Sequence, residues 1–176
     1  VLRRALLEVP KVLASPAHGG DWRSAYAEPS RLGVDRYLAM RGAMALQSGA
    51  VLVAGCGTAV AIDLVDAQGR HRGGLIAPGP ALMREAVLGR TGRVDWQREG
   101  QVVAFGNSTE DALQSGCWQA AAALVARALA AATGELGAAP ALVLHGGDAQ
   151  ALALLLDPAA RIVPALVFEG MLRHAR

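Results

Sequence analysis

Four short stretches of this chain carry residue types that can act on a ligand. Gly55-Cys56-Gly57-Thr58-Ala59 lies between two apolar runs. Glycines in such a corner let backbone N–H groups approach a phosphate closely, and the Thr58 hydroxyl adds a donor. Tight hairpins use the same residues, and the pattern alone favours that plainer reading. Gly33-Val34-Asp35-Arg36 stands near the start of a helical pattern. Asp35 and Arg36 are either a solvated pair worth little or a general base beside a guanidinium that binds an acidic substrate; again the pattern alone favours the first. Thr109 sits at a helix start, where a plain N-cap is the commoner role. His145-Gly146-Gly147-Asp148 follows an apolar run, and its glycines could admit a nucleotide, although Gly-Gly alone is a weak signal. His71 has no second His, Asp or Glu at ligand spacing and reads as structural. Asp63 could face a phosphate, a metal or a backbone amide. Cys56 has no neighbouring His in sequence and reads as a buried thiol.

The elements that must position these residues follow from periodicity and turn chemistry. Leu2, Leu6 and Leu7 keep helical spacing, and a short apolar strand, Val9 to Ala14, precedes a polar loop from Ser15 to Pro29. Ser30 is the expected N-cap of a helix reaching Leu46. Three strands are expected at Ala50–Ala54, Thr58–Val65 and His71–Ala77, the last two joined by the turn Asp66-Ala67-Gln68-Gly69. Pro78-Gly79-Pro80 opens a helix through Leu88, and a loop with Arg93, Trp96 and Gly106 follows. Ser108-Thr109-Glu110-Asp111 caps the longest helix, with acids in its first turn and its end expected at Gly134. A strand at Ala141–Leu144, a helix, an edge strand at Arg161–Pro164 and a last helix from Ala165 complete a mixed α/β sheet covered by helices.

Composition excludes several function classes. The 176 residues are 53% hydrophobic but only 4% aromatic, so the core is built from Ala, Leu and Val. The net charge is +2, with cations almost all Arg and interleaved with acids. Nucleic-acid binding needs clustered cations and is disfavoured. Cys56 and Cys117 form no CxxC, which argues against a zinc or redox motif and fits a reducing compartment. No apolar run is long enough to span a bilayer, and no signal peptide is visible, so a cytoplasmic protein is expected. The chain begins at Val1, without Met, inside a helical pattern, and reads as a fragment.

Taken in order, the stretches resemble type III pantothenate kinases. The matching residues are Ala25-Tyr26 with Leu32 to Ala39, Gly57-Thr58-Ala59-Val60 with Asp63-Leu64-Val65, His71 to Arg84, Ser108 to Ala112 with Gly116, and Gly146-Gly147-Asp148. The resemblance implies the fold of the acetate and sugar kinase, Hsp70 and actin superfamily, with ATP between two ribonuclease-H-like domains. Residues 1–47 would be the remnant of the first domain with the interdomain helix, and 48–176 the second. Asp35 would take the proton from the pantothenate hydroxyl. Tyr26, Gly33, Val34, Arg36 and Thr109 would line the pantothenate site, and Thr58 would contact the phosphates of ATP, which arrives with Mg2+. A homodimer is also implied.

Two departures from the family pattern matter. An Asp-x-Gly-Asn strand opens the family, and nothing like it precedes Val1, so the 176 residues alone are expected to be inactive. The family also carries an Asp two residues before Gly-Thr-Ala, which helps bind potassium or ammonium; here the residue is Gly55. An alternative of another class is a non-catalytic homologue acting as an accessory factor for gene activation. Retention of Asp35, Arg36, Thr58 and Thr109 favours the kinase.

Overall fold

A computed structural model describes residues 15–16, 18–19, 22–91, 99–156 and 160–174. The expected first helix, the strand at Val9–Ala14, and Arg93 and Trp96 lie outside the described residues. A small hairpin, β1 (His18–Gly19) and β2 (Trp22–Arg23), leads into α1 (Val34–Leu46). The three-stranded meander is β3 (Val51–Cys56), β4 (Ala59–Val65) and β5 (His71–Pro78). Then come α2 (Pro80–Thr91), α3 (Thr109–Leu136), β6 (Ala141–His145), α4 (Ala149–Ala153), β7 (Arg161–Ile162) and α5 (Leu166–His174). From α1 onward the expected order of elements holds; the hairpin stands where a polar loop, Ser15 to Pro29, was expected.

Strands pair in the order β5-β4-β3-β6-β7. The meander is antiparallel, whereas β6 runs parallel to β3 and β7 parallel to β6. That combination, a meander extended by parallel strands through crossover helices, is the ribonuclease-H-like arrangement. Alternation along each strand divides the core in two. Leu52, Ala54, Val60, Ile62, Leu142 and Leu144 pack on one face against Ala121, Ala122, Val125, Ala128 and Ala132 of α3. Small residues at this helical spacing let α3 lie close to the sheet. Val51, Val53, Val65 and Val143 face the other way, against Tyr37, Leu38, Met40 and Ala43 of α1 and Leu166 of α5.

Most element ends shift by one to three residues from the sequence expectation, and three of the differences have a clear physical reason. Ser30 does not cap α1: it lies inside a single 3-10 turn, Pro29–Arg31, and the cap is Gly33. Proline fixes the turn, and Leu32 then goes extended, φ −70° and ψ 124°, to bury its side chain before the helix starts. Gly134 does not end α3, which continues to Leu136 and closes on left-handed Gly137 at φ 73°. A glycine within a long helix costs only about 1 kcal/mol, which the packed face of α3 outweighs. Finally, β7 stops at Ile162, short of Pro164, whose nitrogen has no proton for the ladder. Ser108 does cap α3, accepting a hydrogen bond from the Asp111 N–H at 3.1 Å.

Candidate active site

The carboxyl ends of β3, β5 and β6 lie at one edge of the sheet together with the start of β4. Three turns therefore converge there: Gly57-Thr58, Gly79 and Gly146-Gly147. Open α/β sheets bind ligands outside this kind of edge. The turns are held to one another by backbone bonds, from Gly79 N–H to the Thr58 carbonyl at 2.8 Å and from Asp148 N–H to the Cys56 carbonyl at 3.2 Å. Gly146 has φ 95°, and a Cβ there would collide with the Cys56 carbonyl oxygen, so only glycine fits.

Beside these turns is a cavity of about 340 Å³, bounded by Asp35, Arg36, Gly55, Gly57, Thr58, Asp63, His145 and Gly146 among others. Asp35 reaches it from the first turn of α1, where the helix dipole favours its negative charge. Its Oδ1 lies 2.7 Å from where a Cβ on Gly33 would stand, so the glycine leaves room for the carboxylate to fold back over the helix start. Val34 begins α1 and packs on the apolar cluster beneath. Thr58 is exposed at the corner between β3 and β4.

Arg36 is engaged on three sides. Its Nε and Nη2 donate to the two oxygens of Asp63 at 2.9 and 2.6 Å, and its Nη1 donates to the Tyr26 hydroxyl at 2.9 Å. Burial works against the guanidinium charge, but the bonds and charge of Asp63, helped by Tyr26, outweigh it and raise the Arg36 pKa above its ordinary value. Asp63 also bonds Nε2 of His71 at 3.0 Å. Burial alone would push the Asp63 pKa up; hydrogen bonds from His71 and Arg36 reverse this and hold it below the usual carboxylate range. The His71 ring stacks on those of Trp22 and Tyr26, with centroids 5.8 Å away in each case.

This network decides one residue that the sequence left open and explains a second. Of a phosphate, a metal and a backbone amide, the three partners open to Asp63 from sequence, its carboxylate is bonded to none, but to a guanidinium and an imidazole. His71 is structural, as expected, but through a carboxylate eight residues earlier. A register shift between Leu64 and Val65 brings His71 opposite Val65, on the same face as Asp63. Simple alternation puts Arg72 there instead, so periodicity gave no signal. Gly74, opposite Asp63, is also required: a Cβ would meet the Ile62 carbonyl oxygen and the Asp63 carboxylate, and stand 2.7 Å from Arg36 Nη2.

Of the site residues named from sequence, Asp35, Arg36 and Thr58 border one cavity, and Tyr26 joins it through Arg36. Thr109 does not line it; it is exposed at the start of α3. Asp63, which the sequence leaves undecided, and His145, to which it gives no role, also line the cavity. Cys56 is buried, and burial pushes its thiol up to about 11, which suits an inert residue.

By fold this is a mixed α/β protein with a ribonuclease-H-like strand order. Comparison with protein families narrows the class: residues 1–131 match the model described as type III pantothenate kinase. A type III pantothenate kinase of Stenotrophomonas maltophilia is 46% identical over 164 residues, covering 93% of this chain and 66% of the relative. One from Xanthomonas campestris pv. campestris is 45% identical over 168 residues, covering 96% and 68%. The chain belongs to the type III pantothenate kinase family, and it spans about two thirds of the length of these curated relatives. A crystal structure from Campylobacter jejuni, described as belonging to the Baf family of transcriptional activators, aligns with TM-score 0.60 and 29% identity over 86% of this chain and 66% of that one.

Proposed function

We propose that the full-length protein transfers the γ-phosphoryl group of ATP to the hydroxyl of pantothenate, the first step of coenzyme A synthesis. The observation that carries this reading is that Asp35 and the Gly57-Thr58 turn border one cavity in a chain of this family. Phosphoryl transfer needs an oriented hydroxyl, a base within reach and donors around the moving group. In this reading Asp35 accepts the hydroxyl proton, and the turn with Thr58 donates to the nucleotide phosphates. Tyr26, Gly33, Val34 and Arg36 form the pantothenate side, and Thr109 belongs to it on family resemblance alone. Arg36 has committed three of its five N–H groups to Asp63 and Tyr26. It therefore acts first as a fixed post for the start of α1, with the remaining donors available to a carboxylate.

Among the described residues no group of three His, Cys, Asp or Glu side chains could hold a metal. Magnesium would arrive on the nucleotide phosphates, as phosphoryl transfer generally uses it. Residues 1–47 are read as part of a first domain and 48–176 as the second, supported by a five-stranded sheet that lies wholly within 51–162. A homodimer and a cytoplasmic location accompany the family reading. Among the described residues no helix is long and apolar enough to cross a membrane.

The accessory-factor alternative has the Campylobacter structure in its favour, but the curated kinases are more similar to this chain, at 44–46% against 29% identity. The test is turnover of pantothenate by the full-length protein and its Asp35→Asn variant. Because Asp35 is exposed, the variant should fold normally and lose about 10²–10⁴-fold in rate. Near-normal turnover by the folded variant would sink the assignment.

A further inference from the structure

Position 55 lies on β3, opposite Ala61 on one side and His145 on the other. All three face the α1 side of the sheet, at the floor of the cavity. The family's carboxylate for potassium or ammonium would have to start from this position, and neither Gly55 nor the His145 side chain beside it offers such an ion an oxygen. Gly55 has no side chain, and the His145 ring lies across its Cα. A Cβ built on Gly55 would stand 2.7 Å from His145 Nε2 and 2.9 Å from its Cε1. A hard monovalent cation takes anionic or carbonyl oxygens, whereas imidazole suits softer transition metals.

His145 is also without an evident structural task. It is only partly buried, and its ring makes no hydrogen bond to any described residue. Burial lowers its pKa, while Asp35 from α1 and Asp63 from β4 pull the other way; the net fall leaves the ring neutral near pH 7. A neutral imidazole carries one N–H donor, and His145 lines the cavity together with Thr58 and Gly57.

We propose that His145 stands in for the cation site: its ring fills the space beside Gly55, and its N–H, rather than a potassium or ammonium ion, contacts the phosphate end of the nucleotide. This rests on the kinase reading for where the phosphates lie. Gly55 and His145 then form one device, a glycine that vacates the floor and a histidine that covers it.

The experiment measures binding of a non-hydrolysable ATP analogue with Mg2+ to the full-length protein, by calorimetry and by the rise in Tm. Potassium or ammonium is titrated against Tris at fixed ionic strength. The unsubstituted protein should bind within about twofold of the same Kd in every buffer. His145→Ala should weaken binding about tenfold to a hundredfold, as expected for a lost bond to a charged group. His145→Gln keeps an N–H donor and should recover most of that loss. A saturating, many-fold potassium effect on the unsubstituted protein overturns the proposal, and that measurement needs no variant to fold. So does a His145→Ala protein that binds as tightly as its parent, or a Gln variant no better than Ala. If binding depends on His145 but pantothenate is never phosphorylated, the kinase reading fails and this one stands. Normal turnover with a large potassium requirement gives the reverse.

Discussion

The two faces of the central sheet are made by the same strands but to different rules. Under α3 the sheet face is mostly small or branched apolar side chains, and the helix brings Ala121, Val125, Ala128 and Ala132 to it. Under α1, the apolar cluster stops partway along the strands and gives way to Asp63, His71, Arg36 and the cavity. The first face pays for the fold; the second puts polar groups where apolar ones would pack more simply. A buried ion pair is poor at adding net stability compared with apolar residues of like volume. Its contribution here is positional, because Arg36 belongs to the first turn of the helix that carries Asp35.

The sharpest break in this contrast should come from Asp63→Ala. The carboxylate is 3% exposed, and its removal leaves the Arg36 charge and a buried His71 without their partner. A loss of about 3–5 kcal/mol is expected in chemical denaturation. The acid limb gives a second readout. Since the folded pKa of Asp63 is held below its unfolded value, its stabilisation is complete above about pH 4 and is lost as pH falls through the folded value. Asp63→Ala should therefore show a shallower decline of stability in acid than the parent. An unchanged acid limb would mean that the network does not form in solution.

Next in size is Gly74→Ala. The added methyl group presses on the Ile62 carbonyl, the Asp63 carboxylate and Arg36. Overpacking of this sort costs about 1–3 kcal/mol. If the Arg36–Asp63 pair sets the position of Asp35, turnover should fall as well, more than the stability loss alone explains at a temperature where the variant is folded. Stability loss with unchanged kcat would separate the pair from the chemistry.

The same contrast marks what could be read without coordinates. The α3 face was legible, because alternation in the strands and spacing in the long helix are local signals. So was the meander, whose turn Asp66 to Gly69 closes with Asp66 accepting from the Gln68 and Arg70 N–H groups at 3.0 and 2.9 Å. The candidate site was legible only in pieces. Asp35, Arg36 and Thr58 could be named from order and resemblance, but their convergence depends on strands separated in sequence. The pairing of Asp63 with His71 was hidden by the register shift, and His145 over Gly55 by a parallel pairing across ninety residues of chain, about the separation at which local pattern carries nothing. Ser30 misled for a different reason: a capping residue is only a cap if the chain next enters the helix, and buried Leu32 delays that entry.

The smallest expected effect is the most useful for testing whether the faces are independent. Ile62 and Asp63 are neighbours on β4 and point to opposite sides of the sheet, Ile62 into the α3 cluster at 1% exposure. Ile62→Val removes one methylene from a closely packed site and should cost about 0.5–1.5 kcal/mol, from lost burial and a small void. It touches no charged group, moves no glycine and leaves the Val53–Asp63 register intact. Turnover of pantothenate, measured well below the melting transition, should therefore match the parent, and the acid limb should keep its slope. Asp63→Ala, one residue along the same strand, should alter both. If Ile62→Val instead lowered kcat in proportion to the Asp63 variant, the sheet would be transmitting packing changes from one face to the other, and the division of labour between the faces would have to be abandoned.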